Sequence, residues 1–439
     1  MLLLYSTQLS PRLKYIADTL LHDLSGIEVV YTSNTDEFKT FDGAKINYSH
    51  HQIAEDEFSI LPASEILFEE QVCEQKISLA ENSAYKVLFP AEGSDFSFDI
   101  FAASFFLLSR YEEYLPHQKD EYGRFAHTES LAFKASFLKQ PVIDYWLSDF
   151  QKTLQARFPF LFFAIKKFRF IPTYDIDIAY SYLHKGITRN TGGMVRSLLK
   201  GDIDSIKERI NVITRKKDDP FDVYEWLYAL HLRYGLSPYY FFPVAKSTGE
   251  YDKNIDPGVD EMQELIRYHA TGYNVGIHPS WQSGDDETLL PKEIKTLEEI
   301  IGRKVVHSRQ HYIRFALPDT YRRLIELGIH NEFSMGYGSI NGFRASIASP
   351  FYWYDLLREE KTSLLVYPFC FMDANAFYEE KLTPSQAFNE IRYYHDTIKK
   401  VNGTMISIWH NNFFGSDKTF EGWKEVYELF LEEVVYWDL

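Results

Sequence analysis

Two aspartates occupy alternate positions in an apolar, strand-like stretch, IPTYDIDIAY, at residues 171–180. Side chains two positions apart on a strand share a face, so Asp175 and Asp177 place two carboxylates side by side. Like charges this close are unfavourable unless a metal ion, an arginine or a shared proton compensates them. Taken alone, the pair is as typical of a salt-bridged structural pair as of a reactive site.

Further polar residues stand where other predicted strands end. One carboxylate with two imidazoles is a suitable ligand set for zinc or a similar divalent ion, and it leaves a position for water. A second carboxylate could take the proton of that water, and a further histidine could protonate a leaving group. The residues in question are Asp175 and Asp177, His278, Arg309 and His311, Asp373, and His410.

Each of these strand-end residues also has an ordinary structural interpretation. His278 could be a core or surface histidine, His410 could cap the turn that follows it, and Arg309 could serve only as the counter-ion of the aspartates. The joint occurrence at the strand ends of one face favours catalysis or metal binding over these alternatives.

The elements that must position these residues are predicted from about residue 165 onward. There the sequence repeats a helical stretch, a glycine and a β-rich strand, for example Gly272 before YNVGIH and Gly403 before TMISIWH. Five such strands, together with FRFIPTYDID before them and LLVYPFCFMD at 364–373, give seven strands. Their spacing predicts parallel strands joined by crossover helices. Because polar residues cluster at the carboxyl ends of nearly all seven, an incomplete or distorted barrel is favoured over an open doubly wound sheet.

Two segments stand outside this repeat. Residues 1–164 are predicted to form a smaller α/β N-terminal domain, with strands in LLLYS, IEVVYTS and AKINYS, a helix at 11–24, and helices within FDIFAASFFLLSRYEEY and PVIDYWLSDFQKTL. Its polar run Arg110, Glu112 and Glu113 is interpreted as a solvated helix end. Residues 179–218 are long for a βα loop and hold a predicted helix around Ile203 to Val212 and the pair Gly192-Gly193. They form either a lid over the barrel mouth or a static surface insertion.

The composition limits the class of protein. The 439 residues carry 46 Lys and Arg against 63 Asp and Glu, and the net charge of −17 disfavours a nucleic-acid or anionic-membrane partner. The two cysteines are too few for a disulfide framework and lack zinc-finger spacing. The N-terminus is expected to be a buried strand and not a signal peptide, and no membrane span is expected. A cytoplasmic location is therefore predicted, with the oligomeric state left open.

At the strand-end residues, the chain from about 165 to 439 resembles the polysaccharide deacetylase family, metal-dependent carbohydrate esterases built on a distorted (β/α)7 barrel. Thr173-Tyr174-Asp175-Ile176-Asp177 stands where that family has Thr-Phe-Asp-Asp-Gly, and Gly276-Ile277-His278-Pro279-Ser280 stands at its Gly-Asn-His-Thr-x-x-His-Pro motif. Arg309 matches the arginine of the third motif, and Trp409-His410 matches the late Leu-His. The whole chain is similar to bacterial proteins that place a dedicated N-terminal domain before such a barrel.

The resemblance implies a role for each matched residue. Asp175 would be the general base, Asp177 and His278 metal ligands, and His410 the general acid, with zinc as the expected ion. Arg309 would orient Asp175, and Asp373 would orient His410. The implied reaction is removal of an N- or O-acetyl group from a sugar in surface-polysaccharide or glycoconjugate metabolism, with a lipid-linked or small glycan precursor as the expected substrate.

Two departures from the family pattern bear on this assignment. Ile176 separates the two aspartates, although their i, i+2 spacing keeps them on one face. Gln282 stands where the second histidine of the motif is expected, and a neutral glutamine is a poor zinc ligand. We expect His311 to replace it as the third ligand. The alternatives are a catalytically inactive carbohydrate-binding or assembly protein, and a different hydrolase that acts on another amide or ester.

Overall fold

The computed structural model describes residues 1–81, 84–246 and 249–435. The N-terminal part is built on a four-stranded parallel sheet with the order β2-β1-β3-β4, as expected for an α/β unit. Every residue of the first strand is buried, as the sequence predicts. The strands are β1 (Leu2–Ser6), β2 (Val29–Thr32), β3 (Ala44–Tyr48) and β4 (Phe58–Ser59).

Helices cover this small sheet, and a short antiparallel hairpin adjoins them. Ser10 caps the first helix by accepting a hydrogen bond from the Leu13 amide, and Pro11 occupies its first turn. The helices are α1 (Pro11–Ala17), which continues as a π-helical turn over Asp18–Asp23, α2 (Thr35–Thr40), α3 (Ile100–Leu108), α4 (Leu131–Lys134) and α5 (Val142–Arg157). The hairpin pairs β5 (Leu79–Glu81) with β6 (Lys86–Leu88).

The second sheet has nine strands in the order β12-β13-β11-β10-β9-β8-β7-β15-β14. Its neighbours pair in parallel, except that β12 runs antiparallel to β13. The strands are β7 (Arg169–Asp175), β8 (Tyr239–Phe242), β9 (Asn274–Ile277), β10 (His307–Ser308), β11 (Asn331–Glu332), β12 (Phe351–Asp355), β13 (Glu360–Val366), β14 (Phe371–Met372) and β15 (Thr404–His410).

The parallel part of this sheet closes into a distorted barrel. The stretch LLVYPFCFMD is predicted as one strand, but it forms β13 and β14, which lie at opposite edges of the parallel row. Only four residues connect them, so the two edges must meet. Within this connection, the Tyr367 amide donates to Glu332 on one edge, and the Cys370 amide donates to Ile406 on the other. The broken strand thus completes a ring of seven strand positions, the predicted distorted (β/α)7 barrel.

Eight α-helices accompany the barrel within the residues that the structure describes. Gly235 and Gly302, with φ of 61° and 69°, end α8 and α10 in the left-handed conformation that is typical of a helix terminus. Gly272 and Gly403, which precede YNVGIH and TMISIWH, do not have a positive φ, so the expectation of a left-handed glycine is wrong at these two positions. Thr383 begins α12 with the capping box that its spacing from Gln386 allows. The helices are α6 (Gly186–Leu199), α7 (Ile203–Ile213), α8 (Tyr224–Tyr234), α9 (Asp260–Gly272), α10 (Leu289–Ile301), α11 (Asp319–Glu326), α12 (Pro384–Lys399) and α13 (Trp423–Phe430).

The long insertion after β7 contains one helix more than predicted. The helix expected around Ile203 to Val212 is present as α7, and Gly192 and Gly193 lie inside α6. The two helices pack against each other, with the Arg209 guanidinium close to Gly193. None of the described helices of the chain is long and apolar enough to cross a membrane.

The polar run after α3 corrects a prediction, because it is buried and does not form a solvated helix end. Arg110 has a φ of 54°, and this left-handed residue turns the chain so that Glu113 faces the barrel. There Glu113 accepts two hydrogen bonds from Arg344, at 2.8 and 2.6 Å, and one from Arg110 at 2.7 Å. Burial alone would raise the pKa of Glu113, but the charges of Arg344 and Arg110 lower it to about 2. The run is therefore an ionic contact between the N-terminal part and the barrel.

Candidate metal and catalytic site

The strand-end residues converge on one cavity of about 540 Å³ at the carboxyl ends of the barrel strands. This is the edge where the loops of a parallel barrel place functional side chains. Asp373 and Arg309 lie directly behind the lining side chains, whereas Gln282 is not among the lining residues. The strand-end residues that line the cavity are Asp175, Asp177, His278, His311 and His410.

Asp177, His278 and His311 form a group that could hold a metal ion. One ligand atom from each residue lies within 4.8 Å of the other two. Nε2 of His278 is 3.1 Å from Oδ1 of Asp177, and Nε2 of His311 is 3.4 Å from Oδ2. Asp177 Oδ1 is buried, and it makes no hydrogen bond although His278 Nε2 is close to it. Its lone pairs are therefore not satisfied by the protein. An oxygen and two imidazole nitrogens around one point are a donor set that fits a divalent ion such as zinc.

In both histidines the Nδ1 atom makes a hydrogen bond, which leaves the Nε2 atom available to bind a metal ion. His278 Nδ1 donates a hydrogen bond to the Arg309 carbonyl at 2.6 Å, and His311 Nδ1 donates to Asp252 Oδ1 at 3.1 Å. In the neutral imidazoles, Nε2 then carries the lone pair and points at Asp177. This is the arrangement by which metal-binding proteins orient and tune histidine ligands.

His311 reaches this group from a turn, and not from the strand end at which it is predicted. The strand β10 ends at Ser308, and His311 begins a short 3-10 turn, His311–Ile313. Tyr312 and Ile313 follow with φ of 57° and 55°, a left-handed pair that turns the chain sharply. The left-handed turn directs the His311 ring towards His278, with 4.8 Å between the two ring centroids.

Asp252 is a site residue that the sequence interpretation missed. It lies in the loop between β8 and α9, is buried, and also accepts a hydrogen bond from the Trp281 amide at 3.0 Å. No strand-end pattern marks it, because β8 ends ten residues earlier at Phe242. The only available signal was the position of a carboxylate in a βα loop on the face that carries the other site residues.

The ionisation of the group reflects its crowded charges. Burial would raise the pKa of Asp177, but the charge of His311 and the contacts with His278 and His311 hold it well below its usual range. Burial would lower the pKa of His311, yet Asp177 and Asp252 raise it to about 9. Without a metal ion, His311 is therefore protonated at neutral pH. Its positive charge offsets the carboxylates of Asp177 and Asp252, as a divalent cation would.

Asp175 is paired with a buried arginine beside the metal group. Arg309 Nη1 donates to Asp175 Oδ1 at 3.0 Å and to the Thr173 hydroxyl at 2.6 Å, and Nε donates to the Phe333 carbonyl at 3.1 Å. The guanidinium also packs over the Phe241 ring at 4.6 Å. Asp175 Oδ2 points away from Arg309 and lies 3.8 Å from His278 Nε2. Oδ1 of Asp175 thus pairs with the Arg309 guanidinium, while Oδ2 faces the cavity.

His410 and Asp373 form a second pair on the strands beside β7, where His410 is the register partner of Asp175. His410 Nδ1 donates to Asp373 Oδ1 at 2.6 Å, and the His410 amide donates to Oδ2 at 2.7 Å. Burial would lower the pKa of His410, but Asp373 raises it to about 10, with further contributions from Asp177 and Asp175. The imidazolium turns Nε2 to within 3.6 Å of Asp177 Oδ2. His410 is therefore a proton donor that Asp373 holds in place beside the candidate metal ligands.

The N-terminal part supplies one wall of the same cavity, which the sequence did not indicate. Arg124 Nη1 donates to the Tyr312 carbonyl at 2.6 Å, and Nε pairs with Asp120 at 2.7 Å. The Tyr122 ring lies 5.5 Å from the ring of Tyr312 and 5.9 Å from that of Trp281. Both Tyr122 and Arg124 line the cavity. Residues more than 100 positions apart thus build a single pocket.

Residues 2–159 match a family model described as "Family of unknown function (DUF7033)". No curated protein matches the chain.

Solved structures show distant likenesses. A "putative polysaccharide deacetylase" from Mycobacterium smegmatis has 17% identity and a TM-score of 0.39, and the match covers 61% of this chain and 84% of that one. A polysaccharide deacetylase from Bacillus cereus has 11% identity and a TM-score of 0.29 over 61% and 88%. A GH57-type branching enzyme from Pyrococcus horikoshii has 12% identity and a TM-score of 0.30 over 61% and 68%. Because these TM-scores are below 0.5, the likenesses decide nothing about activity.

Proposed function

We propose that the barrel is a divalent-metal-dependent hydrolase that removes an acetyl group from a sugar. The observation that carries this proposal is the convergence of Asp177, His278 and His311 within 4.8 Å, with Asp175 and His410 both beside this group. A three-residue ligand set with an acid and a base beside it is the arrangement that metal-assisted hydrolysis requires. The geometry comes from this chain, so it is independent of the family resemblance.

The residues divide the chemistry among them. A zinc ion bound by the three ligands would act as a Lewis acid on the acyl oxygen and lower the pKa of water. Asp175, oriented by Arg309, is placed to take the proton of the attacking water through its cavity-facing oxygen. His410, protonated and oriented by Asp373, is placed to give a proton to the departing amine or alcohol.

The shape and lining of the cavity support a carbohydrate substrate. A volume of about 540 Å³ is in the range that suits a small ligand or one or two sugar units. Aromatic rings in the cavity wall provide flat surfaces against which the apolar face of a sugar can pack. The rings are those of Tyr122, Tyr251, Tyr312, Tyr378 and Phe413. A small or lipid-linked glycan at the cytoplasmic side of a membrane is the substrate class that we propose.

Metal analysis and acetate release test this function together. We expect about one divalent ion per chain, lost in Asp177→Ala and His278→Ala but retained in the matched control His330→Ala, because His330 is exposed and remote from the ligands. Acetate release from acetylated amino-sugar substrates should be abolished by Asp175→Asn without loss of metal. A stable, metal-free protein that releases no acetate would contradict the proposal.

A second candidate is a catalytically inactive, carbohydrate-binding or assembly protein. The observation that favours it is Gln282, which stands where a metal-binding histidine is expected and is not among the cavity-lining residues. Sugar binding that is unchanged by chelators and by Asp175→Asn, with no acetate released, would support this alternative. A hydrolase for another acyl group would instead bind metal and cleave a non-acetyl amide or ester.

A further inference from the structure

A basic helical hairpin stands beside the cavity, and the proposed hydrolysis makes no use of it. We define the basic hairpin as residues 184–217, which contain α6 and α7. The chain leaves the cavity wall at Ile178 and returns to it at Phe221, so the basic hairpin arises from the rim of the cavity. Arg189 fastens it there by donating to the carbonyls of Asn254, at 2.8 Å, and Lys253, at 2.6 Å. Lys253 itself lines the cavity.

The basic hairpin exposes an unusual amount of apolar surface. None of the residues of α6 is buried, and Val212 is the only buried residue of α7. Leu198 and Leu199 are 62% and 83% exposed, and Ile187 is 87% exposed. Ile203, Ile210 and Ile213 are exposed by 41–47%, and their spacing places them on one face of α7. Each helix therefore presents an apolar stripe to solvent.

The charge of the basic hairpin is opposite to that of the rest of the chain. Residues 184–217 contain nine Lys or Arg against three Asp or Glu, a net charge of +6 in a chain whose total is −17. Exposed cations include Arg196, Lys200, Lys207, Arg215 and Lys216. Since charges are screened over about 8 Å at physiological salt, the distant acidic residues weaken the local attraction for anions only slightly.

We propose that the basic hairpin docks on the surface of an anionic lipid bilayer and brings the mouth of the cavity to the membrane. Amphipathic helices that combine an exposed apolar stripe with clustered Lys and Arg bind at the interface of such bilayers. The apolar side chains enter the boundary between headgroups and acyl chains, and the cations pair with anionic headgroups. The net charge of the whole chain predicts the opposite, because it averages over this local concentration of positive charge. The docking does not depend on the metal site.

Vesicle flotation of the full chain tests the docking. Vesicles of phosphatidylglycerol and phosphatidylcholine should bind the protein at physiological salt, with binding at least about tenfold weaker to pure phosphatidylcholine. Leu198→Ser with Leu199→Ser should weaken binding by about tenfold or more, because two apolar insertions are lost. Arg196→Glu with Lys200→Glu should weaken binding by a comparable factor. High salt should also weaken binding of the unmodified chain, because it screens the same charges.

Matched surface variants provide the controls. Leu232→Ser, at a leucine of α8 that is 65% exposed, and Lys295→Glu with Arg392→Glu should leave vesicle binding unchanged. Since all these side chains are on the surface, thermal unfolding of each variant should match that of the unmodified chain.

Three results would overturn the proposal. The first is that the unmodified chain does not bind the anionic vesicles. The second is that the hairpin variants bind them as well as the control variants do. The third is that the chain associates with itself and that Leu198→Ser with Leu199→Ser abolishes this association. The last result would assign the apolar stripes to contacts between copies. Metal content and acetate release from a water-soluble substrate should stay unchanged in the hairpin variants, so failure of the docking is distinguishable from failure of the proposed function.

Discussion

Replacement of Asp252 by asparagine tests the least expected member of the site. Asp252 Oδ1 accepts the Nδ1 proton of His311 at 3.1 Å and thereby keeps Nε2 directed at Asp177. An asparagine of the same size can present its NH2 group to Nδ1, which favours the tautomer with the proton on Nε2. Loss of such a supporting group typically weakens metal binding by about 10- to 100-fold, or about 1.4–2.7 kcal/mol.

The pH dependence sharpens this prediction. Asp252 helps to raise the pKa of His311 to about 9, so at pH 7 a proton competes with the metal in the unmodified chain. In Asp252→Asn the pKa of His311 falls and this competition weakens, which offsets part of the loss at pH 7. Above pH 9 the proton no longer competes in either protein. We therefore expect the loss of metal affinity to be larger at pH 9.5 than at pH 7.

Competition with a chromophoric chelator, performed at both pH values, measures these affinities. Asp285→Asn is the matched control, because Asp285 is a 63% exposed carboxylate that pairs with Arg314 and does not touch His311. Equal metal affinities for Asp252→Asn and the unmodified chain at both pH values, with metal binding still lost in His278→Ala, would refute the role of Asp252 in orienting His311. A loss in the Asp285→Asn control of the same size would show that the effect is not local.

Three further predictions follow from the cavity and its supports. Tyr122→Ala should raise KM for a glycan substrate several-fold with little change in kcat, because the ring lines the cavity and takes no part in the proposed proton transfers. An effect confined to kcat would contradict this. Asp373→Asn should move the alkaline limb of the kcat profile to lower pH, since Asp373 raises the pKa of His410 and the general acid would lose its proton earlier; an unmoved limb would argue against His410 as the acid. Glu113→Gln should reduce the free energy of unfolding at pH 7 by about 3 kcal/mol. The reason is that Arg344 and Arg110 hold the pKa of Glu113 at about 2, below its ordinary value of 4.5. A lowered pKa stabilises the fold above pH 4.5 and ceases to do so as the pH falls towards 2, so urea unfolding of the two proteins should converge in that range.

The barrel and half of the site were predictable because they depend on local patterns. The alternation of helix, glycine and strand reports backbone preferences that neighbouring residues set, and it predicted seven strand positions. Parallel strands place their carboxyl ends at one edge, so the ends that carry Asp175, His278 and His410 had to approach one another. The i, i+2 spacing likewise put Asp177 on the same face as Asp175. These conclusions required no knowledge of the loops.

Other features were decided by contacts between residues far apart in the chain. His311 turns towards the ligand group because a left-handed pair follows it, and Asp252 meets it from a different loop. Tyr122 lines the cavity only because the N-terminal part packs against the barrel mouth.

The burial of Glu113 shows the same limit from the side of stability. Its charged run has the composition of a solvated surface, but Arg344, 231 residues later, supplies the opposite charge that makes burial favourable. The sequence by itself therefore determined the barrel and the approach of the strand-end residues to one another, since both follow from local periodicity. The tertiary structure alone decided which loop residues support the candidate ligands and which charges are buried, because these depend on partners that only folding brings together.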